Sequence, residues 1–196
     1  MKMRFFFTGT NDAASRLICR VTGGIYSHCG VVFYEHPDAE KDAGFFFESR
    51  AKVFLDAQTG QHKTGVRGPR HFDGIVDWAM DDPDTRRYEV LPLPGYLPVT
   101  ADEAWESFNL LSAAVHRVRY AHLQILQNWI AQRLRVRIGV GCGDNDRWTC
   151  SETCVRALLP RLWPWFGIPD ITANQITPDG DKMASVYAGT SAMCGV

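Results

Sequence analysis

No apolar run in this chain reaches the roughly 18 residues that a bilayer-spanning helix needs. The Phe5-Phe6-Phe7 cluster near the start is too short for the apolar region of a signal peptide, so the chain reads as cytoplasmic. Charge of one sign is also missing: the formal net charge is −1, which gives no electrostatic footprint for a nucleic-acid partner. Cysteine is scarce, six in 196 residues, too few for a disulfide scaffold. Cys150 and Cys154 share one expected helix and Cys29 lies inside an expected strand, a pattern of free thiols in a reducing compartment. Zinc knuckles are lacking as well. Cys142, Cys150 and Cys154 stand eight and four positions apart with no second closely spaced pair, so no metal or other cofactor is expected. There is no internal repeat and no linker that would split the chain, so residues 1–196 read as a single domain.

What is present is a globular composition, 45% apolar and 22% charged, long enough for a sizeable core. Arg4 to Thr8 is a Phe-rich strand candidate. Asn11 is placed to cap a helix over Asp12 to Val21, with Leu17, Ile18 and Val21 as its apolar stripe, stopped by Gly23 and Gly24. Ser27 to Tyr34 is a β-branched and aromatic strand, and Phe45 to Ser49 its return after a polar loop. Lys52 to Thr85 is the least legible region, punctuated by glycines and prolines with room for short strands between them. Arg87 to Leu91 is another strand. Thr100 and Glu103 form a capping box that opens a helix with Ala104, Phe108, Leu111, Val115 and Val118 at helical spacing. Tyr120 to Arg133 reads as a further helix. Arg133, Arg135 and Arg137 then alternate with apolar residues, and Leu162 to Phe166 is a dense apolar patch.

The stretch that carries chemistry is Trp148-Thr149-Cys150-Ser151-Glu152-Thr153-Cys154. Thr149 and Glu152 have the spacing of a second capping box, which puts Cys150 at the first helical position. Unpaired N–H groups and the positive end of the helix dipole gather there, an environment expected to lower a thiol from its free pKa of about 8.5 and favour the nucleophilic thiolate. A nucleophilic cysteine needs a base, and the base needs an orienting group. Of six histidines, His28 stands out, because it opens a strand after a Gly-Gly-Ile-Tyr-Ser turn, and Gly30 leaves space beside its ring. On the return strand Glu48 is an isolated carboxylate among aromatics. Such a group is there for a partner, and the second ring nitrogen of His28 is the candidate.

Ser27-His28-Cys29-Gly30-Val31-Val32 resembles the Ser-His-Val-Gly-Ile strand motif of NlpC-type papain-like cysteine peptidases, and Trp148-Thr149-Cys150-Ser151-Glu152 resembles their Cys-Ser nucleophile motif. His precedes Cys here, an order similar to the circularly permuted branch, the YiiX-like hydrolases related to lecithin:retinol acyltransferase. Phe47 to Val53 fits that branch's middle element, and Ile176-Thr177-Pro178-Asp179-Gly180 its Thr-Pro segment. The resemblance implies Cys150 as nucleophile, His28 as base, Glu48 as orienting residue, and Tyr26 and Ser151 near the oxyanion or substrate. One departure is Cys29, where the motif has an aliphatic residue; it reads as a packed neighbour and not a second nucleophile. The implied fold is α+β, an antiparallel sheet or partial barrel with helices packed on one side and a helical elaboration around residues 100–134. The implied activity is hydrolysis of a peptide, isopeptide or cell-wall amide through an acyl-enzyme. The alternatives are a lipid acyl hydrolase or acyltransferase of the same fold, or a binding module that has lost the chemistry.

Overall fold

Five strands form one antiparallel sheet in the computed structural model of the chain, in the order β4-β3-β2-β1-β5. The structure describes residues 1–22, 25–35, 43–56, 59–81, 84–92, 99–115, 117–121, 147–150, 153–154 and 156–158. The strands are β1 (Lys2–Thr10), β2 (His28–Tyr34), β3 (Gly44–Leu55), β4 (His62–Phe72) and β5 (Thr85–Pro92). The region from Lys52 to Thr85 thus holds more regular structure than its glycines and prolines suggest: the end of β3, all of β4 and a short helix, α2 (Ile75–Met80).

Both faces of the sheet are apolar, which is why β2 reads as a continuous apolar run and not an alternating one. Phe5, Phe7, Cys29, Val31, Phe33 and Phe47 point into one core, and Phe6, Val32, Tyr34 and Phe46 into another. Each face therefore needs its own cover. The helix α3 (Ala101–Ala114) covers the first, with Phe108 edge-on to Phe33, Phe45 and Phe47 at ring separations of 5.4, 5.9 and 5.2 Å. On the second face α2 lays Trp78 against Phe6 and Phe46, 4.8 and 6.4 Å away. The α+β class holds, but the described helices lie on both sides of the sheet, in contrast to the one-sided packing that the resemblance implies.

Local capping is read partly right. Thr100 and Glu103 form the expected box at the start of α3. In α1 (Ala13–Thr22) the cap is Asp12 and not Asn11, because the Ser15 N–H donates to Asp12 Oδ1 at 2.9 Å. Burial opposes the Asp12 charge, yet bonds from Thr10 and Ser15 hold its carboxyl down to about 2.

The end of α3 differs from expectation. Its apolar spacing continues to Val118, but the helix stops at Ala114 and the Val118 carbonyl accepts from the Val66 N–H at 3.3 Å. Tyr120, expected to open a second helix, lies in the two-residue strand β6 (Arg119–Tyr120), paired in parallel with β7 (Arg147–Trp148). Gly65 makes this docking feasible. It sits at φ +113°, and a Cβ there would fall 2.2 Å from the Val118 carbonyl oxygen. The remainder of the expected helix to Arg133, the Arg133, Arg135, Arg137 run, the Leu162 to Phe166 patch and the segment around Thr177 lie outside the described residues. Among the described residues, no helix is long and apolar enough to cross a membrane.

Candidate active site

Cys150 is the first residue in helical conformation after β7, and it is 3% exposed. The Thr149 carbonyl accepts the first intrahelical bond, from the Thr153 N–H at 3.1 Å, and a second from Thr153 Oγ1 at 3.0 Å. The approach to this helix is clamped one residue earlier. The Trp148 carbonyl takes a bond from Ser49 Oγ of β3 at 2.9 Å and another from the Ala121 N–H at 3.2 Å. Arg156, a turn further along, lays its guanidinium over the Trp148 ring at 4.7 Å. The Cys150 sulfur is thus positioned from the sheet and from β6 as well as from its own helix. Ser151 and Glu152, hence half of the expected second capping box, lie outside the described residues.

His28 is the first residue of β2, and the only one of that strand that is not fully buried. Its Nε2 lies 2.8 Å from Glu48 Oε2, and its side chain is also hydrogen-bonded to Cys150. With Nε2 taken by the carboxylate, Nδ1 is the ring nitrogen left for the sulfur. The space that Gly30 provides is filled by Phe6, whose ring would collide with a Cβ at 2.3 Å and sits edge-on to the His28 ring at 6.4 Å. Trp78, packed against Phe6, stacks on the same ring, 6.4 Å away and tilted by only 10°.

Glu48 is 2% exposed and held by cations. Arg50 Nε lies 3.4 Å from its Oε2, and Arg67 Nη1 3.5 Å from its Oε1. Arg67 also reaches Asp81 at 2.8 Å, and Asp81 pairs with Arg70 as well. Burial works against ionisation of Glu48, but Arg50, His28 and Arg70 overcome it and hold the carboxyl below its ordinary range. Burial likewise disfavours the His28 cation, yet the bonds to Cys150 and Glu48 raise it to about 9.

The thiol itself behaves differently from the sequence expectation. Cys150 is pushed well above the ordinary range, first by its hydrogen bond to Cys29 and then by burial, with His28 pulling the other way. The helix terminus alone predicts the opposite direction. What the sequence does not reveal is that Cys29 of β2 shares a buried core with Cys150. Burial and the Cys29 thiol thus oppose the thiolate that the helix start and His28 favour.

Two residues that sequence reasoning passes over belong here. Tyr120 is 6% exposed, and burial first, then the neighbouring Cys150, raises its phenol. Nothing in the spacing between Tyr120 and Cys150 announces this contact, which depends on the β6–β7 pairing. Trp78 had a faint signal: Ile75, Trp78 and Ala79 stand at helical spacing. Tyr26, by contrast, gives its hydroxyl to Glu89 of β5 at 2.5 Å, and its ring packs on Phe7, 5.9 Å away. Among the described residues, no group of three acidic, histidine or cysteine side chains is placed to hold a metal ion. No family model matches this chain, and no curated protein matches it.

Proposed function

We propose that the chain is a cysteine hydrolase that cleaves an amide bond through Cys150, His28 and Glu48. The observation that carries this reading is the His28 ring, bonded through one nitrogen to a buried carboxylate and in contact with a sulfur at a helix start. The working form is a Cys150 thiolate facing the His28 imidazolium, with Glu48 holding the ring's orientation. The thiolate attacks the carbonyl carbon, forming a C–S bond and an oxyanion. The Cys150 backbone N–H and the Tyr120 hydroxyl are the donors for that oxygen, each such donor being typically worth roughly 3 kcal/mol in the transition state. His28 gives its proton to the leaving nitrogen as the C–N bond breaks. The neutral ring then takes a proton from water, whose oxygen attacks the acyl carbon; the C–S bond breaks, the acid leaves and the thiolate–imidazolium pair is restored.

The test is a mass-spectrometric search for an acyl adduct after exposure to peptide-like amides, with lipid acyl esters as a second arm. An adduct on Cys150 that is lost in Cys150→Ala supports the reading, and the arm that yields it identifies the substrate class. Turnover that survives Cys150→Ala refutes it.

A further inference from the structure

Two arginines of β4 share one face of the sheet beside Glu48, and an irregularity in the strand puts them there. Glu48 lies opposite Arg67 and Phe46 opposite Arg70, so β4 uses three residues where β3 uses two. Residues three apart on a regular strand point to opposite faces; the extra residue brings Arg67 and Arg70 to the same one. Gly68 makes this feasible, because it sits at φ +137° and a Cβ there would fall 2.6 Å from the Phe46 carbonyl oxygen. Both arginines reach Asp81, through Arg67 Nη2 at 2.8 Å and Arg70 Nη2 at 3.0 Å. Asp81 is the C-cap of α2, and its N–H donates to the Trp78 carbonyl at 3.2 Å. Arg67 also lays its guanidinium over the Phe54 ring at 5.5 Å. Its second terminal nitrogen then tells the two oxygens of Glu48 apart: Oε1 accepts from Arg67 Nη1 at 3.5 Å, and Oε2 faces His28 Nε2 at 2.8 Å. The last torsion of a glutamate is broad, so a neighbour has to fix the angle at which the carboxylate meets the ring.

We propose that Arg67 is a positioning residue for the His28–Glu48 pair: anchored on Asp81 at the end of α2, its guanidinium holds Glu48 in the rotation that presents Oε2 to His28. This deepens the hydrolase reading and rests on it, since the ring is oriented to serve Cys150. A guanidinium suits the task because its donors are fixed in one plane and two of them reach two carboxylates at once; an ammonium is a point charge on a flexible stem. The short helix α2 then acts on the pair by two routes, through the Trp78 ring on the imidazole and through Asp81 by way of Arg67.

The experiment follows the His28 ring by NMR across pH in the full chain, in Arg67→Gln and in Arg67→Lys. The charged and titratable groups around the pair are Arg50 beside Glu48 on β3, Arg67 and Arg70 on β4, and Cys150 at the helix start. Arg67 is a cation near a cation. Acting on His28 by charge alone, it would depress the imidazolium, so Arg67→Gln would raise the midpoint from about 9 and Arg67→Lys would leave it there. Positioning gives the opposite sign. The Glu48 contact loosens and the midpoint falls in both variants, by about one pH unit, a tenfold loss in the preference for the charged ring. Chemical denaturation of the same variants separates this from a general loss of stability, which leaves the midpoint where it is. A midpoint in Arg67→Lys that stays at the wild-type value or rises overturns the proposal, and this variant alone decides it if Arg67→Gln does not fold. The titration needs no substrate, so turnover that survives Cys150→Ala refutes only the hydrolase reading, and an unmoved midpoint beside turnover that requires Cys150 refutes only the positioning role.

Discussion

The rings of His28 and Trp78 lie nearly parallel, 10° apart in plane with centroids separated by 6.4 Å. The indole comes from α2, the helix on the face away from Cys150, so the imidazole is fixed from one side of the sheet and used from the other. Trp78→Ala removes a large buried ring and should cost about 3–5 kcal/mol of stability, measured by chemical denaturation. Trp78→Phe keeps part of the packing. It should retain most of the stability while broadening the His28 ring resonances, and unchanged resonances would show that the stacking does not hold the ring.

Glu48, after Cys150, is the group that raises His28, and its removal should be visible in the imidazole titration. In the wild type the His28 midpoint is raised to about 9 from 6.5, so this group contributes stability that is fully present below pH 6.5 and lost as pH rises through about 9. In Glu48→Gln the midpoint should fall and this alkaline loss of stability should flatten, as followed by NMR of the ring and by melting across pH. Arg50 and Arg67 lose their shared carboxylate in the same variant, so it should also be less stable near neutral pH. An unmoved midpoint would mean that the 2.8 Å contact does not govern His28.

Cys29 provides the largest influence that raises the Cys150 thiol. Replacing it with alanine removes that influence, and the pH midpoint for iodoacetamide labelling of Cys150 should move down. A midpoint that stays or rises would show that burial alone sets the thiol.

Tyr120 of β6 lies beside Cys150. Tyr120→Phe preserves the ring and deletes the donor. The expected loss is roughly a hundredfold in kcat with little change in KM, the pattern of a group that acts on the oxyanion. An equal loss in the rate of thiol alkylation would instead assign the hydroxyl to the resting thiolate.

Much of the sheet and of the candidate triad could be read from the chain itself. The Phe-rich and β-branched runs dictate β1, β2 and the start of β3, because such residues suit a pleated surface and nothing interrupts them. The Thr-x-x-Glu spacing dictates the start of α3, because capping is local and needs only four consecutive residues. Cys150, His28 and Glu48 were recognisable because each stands at an element start or is out of character with its neighbours.

The rest depends on contacts between residues far apart in sequence. Spacing cannot indicate that Val118 leaves the helix to pair with Val66, since the same apolar period suits both outcomes until the glycine at position 65 is in place to receive it. Nor can spacing bring Tyr120 to Cys150, or Trp78 to the His28 ring. Even the direction of the Cys150 shift was decided this way: a helix terminus acts locally and favours the anion, whereas burial and a neighbouring sulfur act only after the strands have met, and here they prevail.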